Sequence, residues 1–94
     1  MEFEYDPEKS ESNKLKHGID FEEAMELWTD PDWIEFDTAA GPEPRMLVIG
    51  TIKKKLWTAV ITYRSNAIRI ISVRRARDYE KDKYDKYRRV RREI

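Results

Sequence analysis

Along this chain the spacing of apolar residues changes from alternation to helical steps and back, and each change marks an element. Phe3 and Tyr5 alternate with acids and predict a short, half-exposed strand. Asp6-Pro7 supplies a cap and then a proline at the first helical position, predicting a helix to about His17 that Gly18 closes. Its apolar content is thin, Leu15 with Ile19 just beyond, so this helix should lie on the surface. Asp20-Phe21-Glu22-Glu23 is a capping box, and Phe21, Ala24, Met25 and Trp28 follow at helical spacing as a buried stripe. Asp30-Pro31 ends this second helix, because proline disfavours helical backbone in the residue before it.

The middle of the chain reads as β. Trp33 to Asp37 predicts a short strand, and residues 38–44, with Gly41, Pro42 and Pro44, a loop. Arg45–Thr51, Leu56–Arg64 and Ala67–Arg74 follow as strands, joined by a basic turn at Lys53-Lys54-Lys55 and a second turn at Ser65-Asn66. From about Ala76 the pattern is helical again, with Ala76, Tyr79, Tyr87, Val90 and Ile94 on one stripe and Tyr84 at its margin. That stripe is expected to be core, with a Lys/Arg-rich face opposite. The order β-α-α-β-β-β-β-α predicts an α+β domain: a small antiparallel sheet with two N-terminal helices and one C-terminal helix, packed on one face.

Composition narrows the class. The chain has 94 residues, so residues 1–94 are expected to form a single domain. At 39% hydrophobic and 40% charged, it carries too many aromatic and β-branched residues to be disordered and far more charge than a typical domain. No cysteine is present, which excludes a disulfide framework, a thiolate metal site and a cysteine nucleophile. No signal peptide or long apolar run is evident, so a cytoplasmic protein without a membrane partner is expected. The formal net charge of zero hides a division. Residues 1–44 hold fourteen Asp/Glu against three Lys, a balance of −11, and residues 45–94 hold sixteen Lys/Arg against five Asp/Glu, a balance of +11. A positive field this concentrated attracts polyanions, nucleic acid foremost, unless folding interleaves the halves. The acidic half can also hold a basic partner or mask the protein's own basic face.

The densest chemistry lies in Arg69-Ile70-Ile71-Ser72-Val73-Arg74-Arg75-Ala76-Arg77, with Thr62-Tyr63-Arg64 on the preceding strand. Guanidinium groups grip phosphate bidentately and keep their charge at all physiological pH. Held on strands, they can stabilise charge that grows on phosphate when a 2′-hydroxyl attacks it. Arg64 and Arg74 read as functional, Arg69 and Arg75 as solvated sheet residues or RNA contacts. The hairpin register decides whether Arg64 and Arg74 share a face, and the turn residues leave both answers open. His17 is the single histidine, the residue type suited to proton transfer near neutrality. At a helix C-terminus it can equally be a cation that complements the dipole. Tyr63 and Trp57 can stack bases or pack in the core. Arg88, Arg89, Arg91 and Arg92 form either a solvated face or an extension of an RNA groove. No metal-ligand grouping or glycine-rich phosphate loop is present, so neither a metal nor another cofactor is expected.

The order of these fragments resembles the BrnT family, toxins of bacterial type II toxin–antitoxin pairs with a RelE-like ribonuclease fold. The fragments are Phe3-Glu4-Tyr5-Asp6-Pro7, Asn13-Lys14-Leu15-Lys16-His17-Gly18, Phe21-Glu22-Glu23-Ala24 and Asp30-Pro31. Arg45, Ile49-Gly50, Thr62-x-Arg64 and Arg69-Ile70-Ile71-Ser72-x-Arg74-Arg75-Ala76 follow, with Glu80 and Tyr84 at four-residue steps. The resemblance implies a metal-independent endoribonuclease that inhibits translation and is neutralised by a BrnA-type antitoxin. Operator DNA would be reached only through the antitoxin. By matching position it implies site residues Lys16, His17, Arg64, Arg74 and Arg75, and anchoring roles for Glu80 and Tyr84. Ile61 and Tyr63 depart from the family pattern, which has an aromatic residue and an acid there. Two other readings compete: a nucleic-acid-binding module without catalysis, and a degenerate toxin kept as an antitoxin-binding subunit.

Overall fold

Residues 2–38 and 43–93 are described by the computed structural model of the protein. They form three α-helices, a 3-10 helix and one five-stranded sheet. Strand β1 (Glu2–Glu4) leads into α1 (Pro7–His17), then α2 (Phe21–Ala24), which tightens into the 3-10 helix Met25–Thr29. Strands β2 (Ile34–Thr38), β3 (Arg45–Ile52), β4 (Lys55–Arg64) and β5 (Ala67–Arg75) precede α3 (Asp78–Glu93). The sheet order is β1-β5-β4-β3-β2, antiparallel except that β1 runs parallel to β5. The expected all-antiparallel sheet is therefore corrected to a mixed one. α1 and α2 carry the chain from β1 at one edge of the sheet to β2 at the other, and the antiparallel run β2-β3-β4-β5 then brings β5 back beside β1 in the same direction. The expected loop at Gly41 and Pro42 lies outside the described residues, as does Ile94. Among the described residues no helix is long and apolar enough to cross a membrane.

Local signals act where the sequence places them. Asp6 Oδ1 accepts from the Glu8 N–H at 2.9 Å, and Gly18 closes α1 in the left-handed conformation at φ 80°. Asp20 and Glu23 form the reciprocal capping box. Helical backbone past Ala24 narrows to 3-10, so the second helix is shorter than its apolar stripe suggests. β3 passes so close to this segment that a side chain at position 50 would meet the Leu27 carbonyl at 3.1 Å, which explains Gly50.

The helices pack on both faces of the sheet, not on one. Ile19, Phe21, Ala24 and Leu27 cover the face formed by Val48, Ala59, Ile61, Ile68, Ile70 and Val73. α3 covers part of the opposite face, where Tyr84 packs on Ile34 and Ile49. Asn13 fixes α1 to the edge of β5: its side-chain amide donates to the Val73 carbonyl at 2.9 Å and accepts from the Val73 N–H at 3.2 Å. Backbone groups that β1 is too short to reach are satisfied in this way.

The expected core stripe of α3 is corrected. Tyr79, Tyr87 and Val90 are half-exposed, whereas Glu80 and Tyr84 are buried. A carboxylate takes the first buried position of the helix because Arg74 reaches it from the sheet, making bonds of 2.7 and 2.9 Å. Glu80 Oε1 also accepts from Thr58 Oγ1 and the Arg77 N–H. Tyr84 donates to Asp30 Oδ2 at 2.7 Å, and the same oxygen accepts from the Thr51 N–H and hydroxyl. Burial raises the Asp30 carboxyl, but these bonds and one from the Asp32 N–H more than offset it and hold it below its ordinary value.

Burial likewise raises Glu80, yet Arg74, the Arg77 N–H and Thr58 draw it down to about 2. A carboxyl depressed on folding stabilises the protein above its ordinary pKa and loses that contribution as pH falls through the folded value. Stability is therefore expected to fall by about 3 kcal/mol between pH 5 and pH 2 through this one group. Urea unfolding of wild type and Glu80→Gln across that range checks it: the variant should be weaker at neutral pH and should lack this segment of the acid transition.

Candidate nucleic-acid interface

A β-bulge assigns the arginines to faces. From the Ser65-Asn66 turn, Arg64 pairs with Ala67, Thr62 with Arg69 and Ile61 with Ile70. The register then slips, so that Val60 pairs with Ser72 and Thr58 with Arg74. Without the slip Arg74 would lie on the opposite face from Arg64; with it, Arg64, Arg69 and Arg74 share the face that α3 partly covers. Arg75 and Tyr63 are on the other face, with Trp57, Val73, Ile68 and Ile61.

Sharing a face does not bring Arg64 and Arg74 together. Thr58, the partner of Arg74, is six residues from Arg64 along β4, about 20 Å at the usual strand rise. The two guanidinium groups cannot close on one phosphate from those positions. Arg69 is different. It stands opposite Thr62, two residues from Arg64, and Arg45 flanks Thr62 on its other side, where the Thr62 hydroxyl bonds the Pro44 carbonyl at 2.8 Å. Arg45, Arg64 and Arg69 thus form a compact cationic row on an open part of the sheet. Nothing in the sequence marks Arg45 as a site residue, because only β3–β4 pairing sets it beside Thr62.

The ion pairs of this face differ in strength. Arg64 meets Glu43 at 3.5 Å and Arg69 meets Glu4 at 3.4 Å, with the side chains of Arg64, Glu43 and Glu4 well exposed. Such pairs are worth little and give way readily to a phosphate. Arg74 gives both terminal nitrogens to the fully buried Glu80, and burial lowers its pKa less than that carboxylate raises it. It is a strut between sheet and helix.

A second cationic region lies at the far end of β4, on the α1 side. The Arg75 guanidinium lies 5.4 Å from the centre of the Trp57 ring. Trp57, Lys53 and Lys55 line a cavity of about 220 Å³ together with Gly18, the residue after His17, and with Glu23 and Glu26, whose carboxylates offset the two lysines there. Lys16 and His17 therefore stand at the same end and on the same side of the sheet as Arg75, about 23 Å along β4 from Arg64. Lys53 and Lys54 fill the two left-handed positions of the β3–β4 turn, φ 50° and 68°, where Asn-Gly is the favoured pair. Lysines there add charge at a backbone cost. Tyr63 donates to Glu35, and burial together with that carboxylate pushes its hydroxyl up to about 12, which makes it a poor proton donor.

The seven residues singled out from sequence thus divide. Arg64 and Arg69 join Arg45 at one end; Lys16, His17 and Arg75 gather at the other; Arg74 is held by Glu80 and Tyr63 by Glu35. The Arg-rich helix is largely occupied: Arg88 and Arg92 meet Asp32 at 3.4 and 3.7 Å, and Arg91 donates to the Pro31 and Trp33 carbonyls. Among the described residues no group of three His, Asp or Glu side chains is placed to hold a metal ion.

A family model described as the ribonuclease toxin BrnT of type II toxin–antitoxin systems matches residues 5–80. The chain belongs to the BrnT family. The match takes in both cationic regions and Glu80, and leaves most of α3 outside it. No curated protein matches the chain. Membership of a type II family of ribonuclease toxins implies RNA as substrate and an antitoxin protein as partner.

The two kinds of ion pair predict different costs on truncation. Arg74→Ala should destabilise by about 3–5 kcal/mol, because it strands a buried carboxylate. Arg64→Ala should change stability by less than about 1 kcal/mol, since its pair is exposed. Chemical unfolding of the two variants at neutral pH checks this.

Proposed function

We propose that this chain is a metal-independent endoribonuclease with a RelE-like fold, which blocks translation by cutting RNA and is neutralised by a BrnA-type antitoxin. The observation that carries the reading is the compact row of Arg45, Arg64 and Arg69, in which the exposed ion pairs of Arg64 and Arg69 yield to phosphate. Arg64 and Arg69, with Arg45, anchor the RNA backbone. Cutting takes place at the other end, where His17 and Lys16 stand on the side of Arg75 and the stacking surface of Trp57. His17 takes the proton as the 2′-hydroxyl attacks phosphorus, and as the P–O5′ bond breaks the Lys16 ammonium gives a proton to the departing 5′-oxygen, leaving a 2′,3′-cyclic phosphate and a 5′-hydroxyl. Arg75 faces the charge that grows on the phosphate oxygens. Arg74 contributes by holding β5 and α3 in place through Glu80. The antitoxin carries any contact with operator DNA.

Induced expression with growth and RNA integrity as readouts tests the reading, followed by kinetics on purified protein. Wild type should arrest growth and degrade RNA. His17→Ala and Arg75→Ala should each lower kcat by about 10²-fold or more with RNA affinity largely kept. Arg64→Ala and Arg69→Ala should raise KM and flatten the salt dependence of binding. A soluble wild-type protein that binds RNA and leaves it intact would replace the enzyme with a binding module. Full cutting by His17→Ala and Arg75→Ala would move the chemistry away from that end.

A further inference from the structure

Strand β2 closes one side of the sheet, and its outer edge pairs with no strand among the described residues. A groove of about 500 Å³ follows that edge, bounded by residues 33–36 on one side and by Lys83, Tyr87 and Arg91 of α3 on the other. Successive residues of a strand point to opposite faces, so a cavity touched by three in a row, Ile34, Glu35 and Phe36, opens onto the strand's hydrogen-bonding edge. Its apolar surface comes from Trp33, Phe36 and the half-exposed Tyr87, with the buried Ile34 beneath. The two cations are already turned inward: Lys83 Nζ is 4.3 Å from the centre of the Phe36 ring, and Arg91 donates to two carbonyls.

An unpaired edge beside an apolar groove is a template for another strand. The sequence of β2, Ile34-Glu35-Phe36-Asp37-Thr38, states what kind of strand fits. On the α3 face it offers Ile34 and Phe36, on the other face Glu35 and Asp37. A second copy of this chain fits badly. Symmetric antiparallel pairing about Phe36 would set Glu35 of each copy against Asp37 of the other, and like charges directly opposed destabilise a strand pair. RNA fits no better, since the same two acids repel its backbone.

We infer that the β2 edge is the docking strand for this toxin's antitoxin. The occupant is an extended antitoxin segment that adds a sixth strand, with apolar residues over Ile34, Phe36 and Tyr87 alternating with Lys or Arg facing Glu35 and Asp37. This rests on the toxin reading above. It also accounts for neutralisation, because Thr38 at the end of β2 pairs with Arg45, so the added strand ends beside the arginine row.

Amide hydrogen exchange of the full-length toxin, alone and in complex with the antitoxin from its own operon, tests the inference, together with the affinity of Asp37→Lys. Exchange at residues 34–38 should slow at least tenfold in the complex. Asp37→Lys should weaken antitoxin binding at least tenfold while the free variant cuts RNA at the wild-type rate. A complex in which residues 34–38 exchange as in the free toxin overturns the inference, as does wild-type antitoxin affinity in Asp37→Lys. Failure of the antitoxin to bind overturns it too, and so does protection of this edge by RNA or by self-association alone. RNA cutting by the free wild-type toxin, measured in parallel, judges the ribonuclease reading separately from all these outcomes.

Discussion

The one-residue slip between β4 and β5 is the constraint on which the rest of the molecule depends. Ile68 and Ile70 face the α1–α2 core at alternate positions, and Val73 must join them there although it is an odd number of residues further on. Only an extra residue in β5 reconciles the three, and the strand bulges where the register shifts between Val60 and Ile61. Burying those three side chains is worth several kcal/mol, more than the local disruption of the ladder costs. The polar side chains follow passively. Arg69 and Arg74 are carried to the far face by a register chosen for isoleucine and valine, and one face then holds a row of arginines.

Arg74 turns that register into a fold. Its pair with the buried Glu80 fixes the start of α3 against β4 and β5, and Thr58 and the Arg77 N–H complete the carboxylate's bonds. Asp30 plays the matching role further along, collecting Tyr84, Thr51 and Asp32 at the other side of the helix. Two buried carboxylates thus seat a helix whose apolar content is slight. Each is satisfied by several donors, which is the condition under which a buried charge is tolerated. The seating also leaves part of the sheet uncovered, and that uncovered part carries Arg45, Arg64 and Arg69.

The opposed charges of the two halves meet in the folded chain. Among the described residues, four of the six ion pairs join an acid from residues 1–44 to a base from residues 45–94: Arg64 to Glu43, Arg69 to Glu4, and both Arg88 and Arg92 to Asp32. The positive field is therefore smaller than the +11 balance of the second half implies, and it is concentrated where the pairs are exposed and long. Cations held by weak surface pairs are available to a polyanion at little cost.

Sequence alone determined the caps of α1 and α2, the α+β class, the family, and the presence of arginines suited to phosphate, because each rests on neighbours within a few residues or on a linear pattern. It also marked Glu80 and Tyr84 as anchors, through the resemblance and not through periodicity. The tertiary structure decided which arginines stand together. Faces depend on a bulge that leaves no local signature in Ile70-Ile71-Ser72, and neighbours depend on strand pairing across β3, β4 and β5. It decided as well that β1 runs parallel, that α3 lies on the opposite face from α1, and that Tyr79, Tyr87 and Val90 are not core. An apolar stripe predicts burial only when the partner surface is apolar. Here the sheet presents Arg74 to the helix, and a glutamate is the residue that can be buried against it.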